Sequence, residues 1–469
     1  MATTLVAVGR PLTMWRRSRP AAIALAVVAV LAAIVQVVVG EPRWQVVPVY
    51  LAAALAAGAG LSAAAQRDTG LGGIGAAIVG LALVLIGGGL SWALPLPSLP
   101  APQGLHAVGT TTAVVTATDR VERFGDDRGQ QRRLVMQVHY PAAADEDAED
   151  AESAERSPLV TGDGDFTRVI AAELGLPRFA LGHLRQVQTH AVNGAAPTSN
   201  GRVGPDEQAL LPVVVLSHGW TGFRSAQLDL VESLASHGNV VVTIDHTYGS
   251  MATVFPDGEV VPHDPAALPD DVPADIRDAA SERLVAMFAD DIATTLDHLE
   301  QVGVEPLTDR LDLERIAVLG HSTGGGAAIL HCARDSRCHA VIGFDPWVEP
   351  VPDAVIGEGL EVPLLSLVSE EWAENDNATR LRRLHAASTA GQGRVTIAGT
   401  QHEDVTILRY LSPLTPRLGL TGQLAPDRVH EIVDTWTRRF LVHHRDDDGP
   451  DPMRAPPQLD EAVLEPSGD

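Results

Sequence analysis

The sequence predicts an α/β protein, a mostly parallel sheet with helices on both faces, behind an N-terminal part made of apolar helices. Three observations carry this reading. From residue 112 onward short apolar runs of strand type alternate with amphipathic runs of helical period. One strand-to-helix joint holds the pentapeptide Gly320-His321-Ser322-Thr323-Gly324. The first hundred residues hold three long apolar stretches without a charge.

Charge divides the chain of 469 residues. Residues 1–100 carry six arginines against Glu41 and Asp68, or +4, which leaves −30 for the remainder of a protein whose net charge is −26. Ala21 to Val39, Val46 to Ala65 and Leu71 to Leu94 each approach or exceed the roughly 20 residues that cross a hydrocarbon core. Residues 1–94 are therefore predicted to be a three-span membrane anchor (21–39, 46–65, 71–94). Reading the first run as a signal peptide is the weaker choice, because two spans follow it. Ala54, Gly58 and Ser62, then Gly72, Ala76 and Gly80, repeat small residues at a spacing that permits close helix packing. The arginines from Arg10 to Arg19 place the N-terminus in the cytoplasm, so three crossings put the rest of the chain on the far side. Pro95, Pro97, Pro100 and Pro102 make 95–104 a stiff linker.

The catalytic domain is predicted over 105–445. Thr112 to Ala117 and Leu134 to His139 open the sheet as an antiparallel pair. Residues 142–157 are acidic and alanine-rich, cannot bury a core, and are expected to be disordered. The spacing of Phe166, Val169, Ile170 and Leu174, then Leu181, Leu184 and Val187, gives an amphipathic pair that packs on the sheet edge or caps a pocket. Leu211 to Leu216, Val240 to Ile244, Arg315 to Leu319, Ala340 to Phe344, Pro363 to Val368 and Arg394 to Ala398 read as strands; Arg277 to Leu299 and Asp427 to Leu441 read as helices. The tail 446–469 is expected to be disordered, with His443 and His444 solvated beside it. Cys332 and Cys338 can close a disulfide if the helix ends between them. No metal pattern and no cofactor motif is present, and so acidic a domain disfavours nucleic acid.

The chemistry starts at Ser322. A strand, a sharp turn and a helix around Gly-x-Ser-x-Gly form a nucleophile elbow, which lifts the hydroxyl above the sheet edge. Its partners are sought downstream in the order acid, then histidine. His402 stands on the loop after the last strand, where a general base can reach a serine on the same edge. Asp345, at the end of the strand after the elbow, competes for the acid role with Glu370, Glu371 and Glu374 beyond the next strand. The N–H groups of Thr323 and of Trp220, in the loop Ser217-His218-Gly219-Trp220-Thr221-Gly222, are the candidate oxyanion donors.

Ser217 to Arg224, Leu234 to Gly238, Val240 to His246, Gly320 to Gly325, Phe344 to Trp347 and Gly399 to His402 together resemble a known family over about 105–445. It is that of the lipoprotein-associated platelet-activating factor acetylhydrolases and their bacterial esterase relatives. The resemblance implies an α/β-hydrolase fold, Asp345 as the acid of the triad and Trp220 as an oxyanion donor. It departs at Thr323, where the animal enzyme has phenylalanine, so side-chain preference does not carry over. The expectation is a membrane-anchored serine ester hydrolase acting through Ser322, His402 and Asp345. Its substrate would be an ester with a short or oxidised acyl chain, borne on a phospholipid among others. An acyltransferase on the same triad, or a non-catalytic membrane protein, are the alternatives; no protein partner can be inferred.

Overall fold

The computed structural model describes residues 43–64, 70–143, 156–160, 165–199, 202–203, 209–446 and 448–465, with scattered positions between 24 and 34. It divides into two compact units, Met1–Leu96 and Pro97–Asp469.

In the first unit α1 (Val47–Ala64) and α2 (Gly70–Ala93) are uncharged helices. Pro48 is tolerated in α1 because it sits in the first turn, where its missing N–H has no partner to lose. The two helices meet at Gly87, where an added Cβ would lie 2.6 Å from Val49 Cγ2. Gly58 and Gly80 have nothing within 4 Å of such a Cβ, so the expected small-residue stripe does not form the seam at those positions. The three-span anchor is not supported. Among the described residues one helix, Gly75–Ala93, is long and apolar enough to cross a bilayer, and Trp44–Gly58 is a shorter apolar helix. The predicted span 21–39 lies largely outside the described residues.

The second unit is built on β1 (Ala107–Val121), β2 (Gln131–Ala142), β3 (Arg156–Pro158), α3 (Asp165–Glu173), β4 (Gln188–Asn193), β5 (Arg202–Val203) and β6 (Ala209–Ser217). The chain continues through α4 (Leu228–Ser236), β7 (Val240–Asp245), the hairpin β8 (Ala252–Val254) and β9 (Val260–Pro262), and α5 (Ala274–Gln301). Then come β10 (Leu311–His321), α6 (Thr323–Cys332), β11 (Cys338–Phe344), β12 (Leu364–Ser369), α7 (Asp376–Ala387), β13 (Gln392–Ile397), α8 (Pro426–His444) and β14 (Ala462–Leu464). The main sheet runs β14-β13-β12-β11-β10-β6-β7-β2-β1-β4-β3. From β7 to β13 every neighbour is parallel; β2 runs antiparallel to β7 and, as expected, to β1, β1 runs parallel to β4, and β14 runs antiparallel to β13.

Strands buried on both faces need apolar residues at every position. In β6, Val213 and Val215 enter the core beneath α5 and α6, while Val214 and Leu216 enter the core beneath α4 and α8. α5 buries Ala280, Leu284, Phe288, Ile292 and Leu299 on one stripe, and stops where Gly303 takes φ 74°. α7 begins where the Asn375 side chain accepts from Ala378 N–H at 2.9 Å, satisfying an otherwise unbonded helix donor.

Three boundary expectations are corrected. Residues 97–104 do not form a free linker, because Leu99 is buried and Gly104 N–H and His106 N–H bond to Ser236. The segment 142–157 is ordered at both ends, as the last residue of β2 and the first residues of β3; 144–155 lie outside the described residues. The tail is structured from 448 to 465. Leu459 and Leu464 pack on the core, Arg428 pairs with Glu461 at 2.6 Å, Thr396 bonds Glu465, and β14 extends the sheet beside β13. Acidic composition hid these anchors, since each depends on a partner distant in sequence.

Candidate active site

The parallel strands β10, β11, β12 and β13 end on one edge of the sheet, and the loops leaving them bring the candidate residues together. Ser322 follows β10 and caps α6 with φ 53° and ψ −118°, a conformation costing a non-glycine residue on the order of 1–3 kcal/mol. The surrounding contacts enforce it. A Cβ at Gly320 would fall 2.1 Å from Gly324 O, and one at Gly324 would fall 2.2 Å from Ser217 O, so the turn closes only with glycine at both places. Ser322 N–H donates to Phe344 O at 3.0 Å, and Ser322 O accepts from Trp347 N–H at 2.8 Å. α6 ends at Cys332, and the chain turns back so that Cys332 and Cys338 form a disulfide, with Cα atoms 5.2 Å apart.

Asp345 leaves β11 with φ 43° and is 1% exposed. One carboxylate oxygen accepts from Ser369 N–H at 2.6 Å; the other accepts from Ser369 Oγ–H at 2.7 Å and stands 3.1 Å from His402 Nδ1. The glutamates are used differently. Glu371 accepts from the backbone N–H of His402 at 2.9 Å, and Glu370 from Gly399 N–H at 2.7 Å. Neither touches the His402 ring, and Glu374 makes no bond to it among the described residues. The ring stacks on Trp372 with centroids 4.2 Å apart and planes 7° from parallel. His321 Nε2–H donates to His402 O at 3.0 Å; burial, and secondly its neighbour His402, push His321 well below the ordinary histidine range and keep it neutral. Ser369 and Trp372 escaped the sequence reading, and Glu371, considered there as the acid, instead holds the backbone N–H of His402. The one signal for Ser369 and Trp372 is position, at the end of the strand beside β11 or just past it.

The loop after β6 lies against the serine, since a Cβ on Gly219 would sit 3.0 Å from Ser322 Cβ. The Gly219 carbonyl accepts from His218 Nδ1–H at 2.6 Å and from Gly222 N–H at 2.9 Å. The Gly219–Trp220 peptide is planar and trans, so holding its carbonyl also fixes Trp220 N–H in the opposite direction. Ser250 Oγ–H bonds His218 Nε2 at 2.8 Å, which leaves the ring proton on Nδ1. Burial, and then the neighbouring His246, push His218 down to about 3. Thr323 opens α6, so its N–H is one of the donors a helix start leaves unbonded.

A second Ser-His-Asp arrangement lies beneath this loop: Ser217 Oγ is 2.8 Å from His246 Nε2, and His246 Nδ1 is 3.0 Å from Asp291 Oδ2. Burial decides against chemistry there, since Ser217, His246 and Asp291 are all 0% exposed. Asp291 also pairs with Arg132 at 2.6 Å and Arg120 at 2.8 Å. Burial raises its proton affinity, but these arginines outweigh it and hold the carboxyl well below its usual range. The cluster braces the base of the Ser217–Trp220 loop.

Ser322, Thr323, Trp220 and His402 border one cavity of about 550 Å³. Leu159, Ile170, Leu174, Leu181 and Leu184 form part of its wall, so the amphipathic pair both packs into the core and lines the pocket. Trp347 and Trp372 line it as well. No cluster of metal-ligating groups occurs at this cavity among the described residues.

A mostly parallel sheet with a strained serine between strand and helix, and on the same edge a half-buried histidine bonded to a buried aspartate, is the arrangement found in carboxylic ester hydrolases. The chain belongs to the family described as platelet-activating factor acetylhydrolase, isoform II, which it matches over residues 96–263 and 293–451, well over half its length. It is 24% identical over 375 residues to platelet-activating factor acetylhydrolase of Gallus gallus, covering 74% of this chain and 83% of that one. It is 26% identical over 246 residues to cutinase 1 of Thermobifida cellulosilytica, covering 47% and 79% respectively. The fold is shared with a ferulic acid esterase from Streptomyces cinnamoneus at a TM-score of 0.63 and 24% identity, covering 79% of this chain and 99% of that one. The protein is a carboxylic ester hydrolase.

Proposed function

We propose that the protein is a membrane-tethered serine esterase in which Ser322 is the nucleophile, His402 the general base and Asp345 the acid that orients it. The observation that carries the reading is the bond from His402 Nδ1 to Asp345, on an edge shared with the strained Ser322. With its Nδ1 proton on Asp345, His402 has Nε2 free to take the Ser322 proton as Oγ attacks the ester carbonyl. Trp220 N–H and Thr323 N–H hold the carbonyl oxygen as it becomes negative. The imidazolium then returns its proton to the departing alcohol, and a water molecule activated by the same ring hydrolyses the acyl-serine.

Family membership and the apolar cavity support esters with a short or oxidised acyl chain, phospholipids included. A volume of about 550 Å³ leaves room for chains longer than acetyl. The apolar helix Gly75–Ala93 supports a membrane tether. One crossing or three would both set the catalytic domain opposite the Arg10–Arg19 side.

The test is hydrolysis of a p-nitrophenyl ester series, acetate to decanoate, by the purified full chain and by Ser322→Ala. The reading expects turnover in the first and none above background in the second. Equal turnover by both would refute it. A reporter fused after Asp469 should function only on the extracytoplasmic side, and cytoplasmic function would reverse the proposed topology.

A further inference from the structure

The end of α8 and the chain that follows it hold a group of side chains that the esterase chemistry does not use. His443, His444 and Asp451 present three ligand atoms all within 4.8 Å of one another. His443 Nδ1–H donates to Gly449 O at 3.0 Å, which fixes its proton on Nδ1 and leaves the lone pair on Nε2. A ring nitrogen held this way by a backbone carbonyl is the usual support of a metal-ligating histidine. His444 Nε2 is buried without a hydrogen-bond partner, although it faces Asp451 Oδ1 at 3.9 Å. The His444 ring is fixed between Phe440, with centroids 4.6 Å apart, and Gly391, where an added Cβ would lie 2.4 Å from the ring. Asp451 is itself oriented, because Oδ1 accepts from Met453 N–H at 2.8 Å.

We propose that His443, His444 and Asp451 bind one divalent transition-metal ion, with zinc as the best match. Two imidazole nitrogens and one carboxylate oxygen suit zinc, cobalt or nickel, and a single carboxylate suits calcium or magnesium poorly. The fourth position would be water.

Position argues that the ion serves the fold and not the reaction. Gly391 immediately precedes β13, so the site lies at the N-terminal end of that strand, whereas Ser322, Asp345 and His402 follow the C-terminal ends of β10, β11 and β13. The ion would tie the segment carrying Asp451 to α8, upstream of the strand β14 that completes the sheet edge.

The experiment uses untagged full-length protein in detergent, stripped with chelator and titrated with Zn²⁺ by calorimetry and with Co²⁺ by visible absorption. One equivalent of Zn²⁺ should bind and raise Tm, and Co²⁺ should give the intense bands of a four-coordinate site. His443→Ala and Asp451→Asn should each weaken binding at least about tenfold. Asp451→Asn retains an oxygen for Met453 N–H, so a folding defect should not obscure its result. Esterase turnover should be the same with and without Zn²⁺. Absence of a stoichiometric site, or unchanged affinity in both variants, would overturn the proposal.

Discussion

Ser369 holds both oxygens of Asp345, one through its backbone N–H at 2.6 Å and the other through its hydroxyl at 2.7 Å. A parallel sheet makes this possible, because β11 and β12 end side by side, and Asp345, the first residue past β11, reaches Ser369, the last residue of β12. The pair leaves a single direction free on Asp345 Oδ2, and His402 lies along it.

Asp345→Asn should reduce kcat by about 10⁴, the scale on which loss of the orienting carboxylate leaves the histidine in the wrong tautomer. Ser369→Ala should cost far less, since the backbone N–H remains. Glu370→Gln and Glu371→Gln should stay within a few-fold of the parent. Steady-state kinetics on one p-nitrophenyl ester rank them, and a larger loss at either glutamate would move the acid to the loop after β12.

His218 should act on the rate without touching substrate. Removing its Nδ1–H leaves the Gly219 carbonyl held by Gly222 N–H alone and lets the Trp220 N–H drift from the oxyanion position. His218→Leu should therefore lower kcat by about 10² to 10³ with little change in KM, the scale of a lost oxyanion donor. His218→Asn, whose amide N–H can stand where Nδ1–H stood, should recover most of that loss. A change confined to KM, or no rescue by asparagine, would contradict the role.

Much of this was legible from the chain, and the reasons differ by residue. Ser322 declared itself because the elbow is local: the glycines, the strand and the helix lie within some fifteen residues. His402 followed from strand counting. Asp345 was separable from the glutamates only by family resemblance, since the choice depends on which side chain turns toward the ring. Ser369 and Trp372 were invisible because each acts through a contact between the ends of different strands, and the His218 lock because its tautomer is set by Ser250, distant in sequence. The tail was misjudged because its acidic residues read as solvated until Arg428, Thr396 and the edge of β13 stood beside them.

Stability should fall in mild acid. Burial pushes His139, His331 and His385 down to about 4 and His218 to about 3, against 6.5 for an ordinary histidine. Below pH 6.5 the unfolded chain takes up these protons and the folded one does not. Stability therefore declines as pH drops from about 6.5 towards 4, each such histidine adding up to about 1.4 kcal/mol per pH unit to the slope. Asp291, held well below its usual range, keeps its contribution through that window and loses it only in stronger acid. Urea unfolding at pH 7.5, 5.5 and 4.5 measures the effect, and a midpoint constant across the three would contradict the neutral buried histidines.

The central claim is that Ser322 carries the acyl group, and covalent labelling tests it without a choice of substrate. Incubating the full chain with a fluorophosphonate and mapping the adduct by peptide mass spectrometry should give one modified residue, Ser322, with no adduct in Ser322→Ala and slow labelling in His402→Ala. Modification at a different serine, or an unlabelled chain that still hydrolyses esters, would contradict the account.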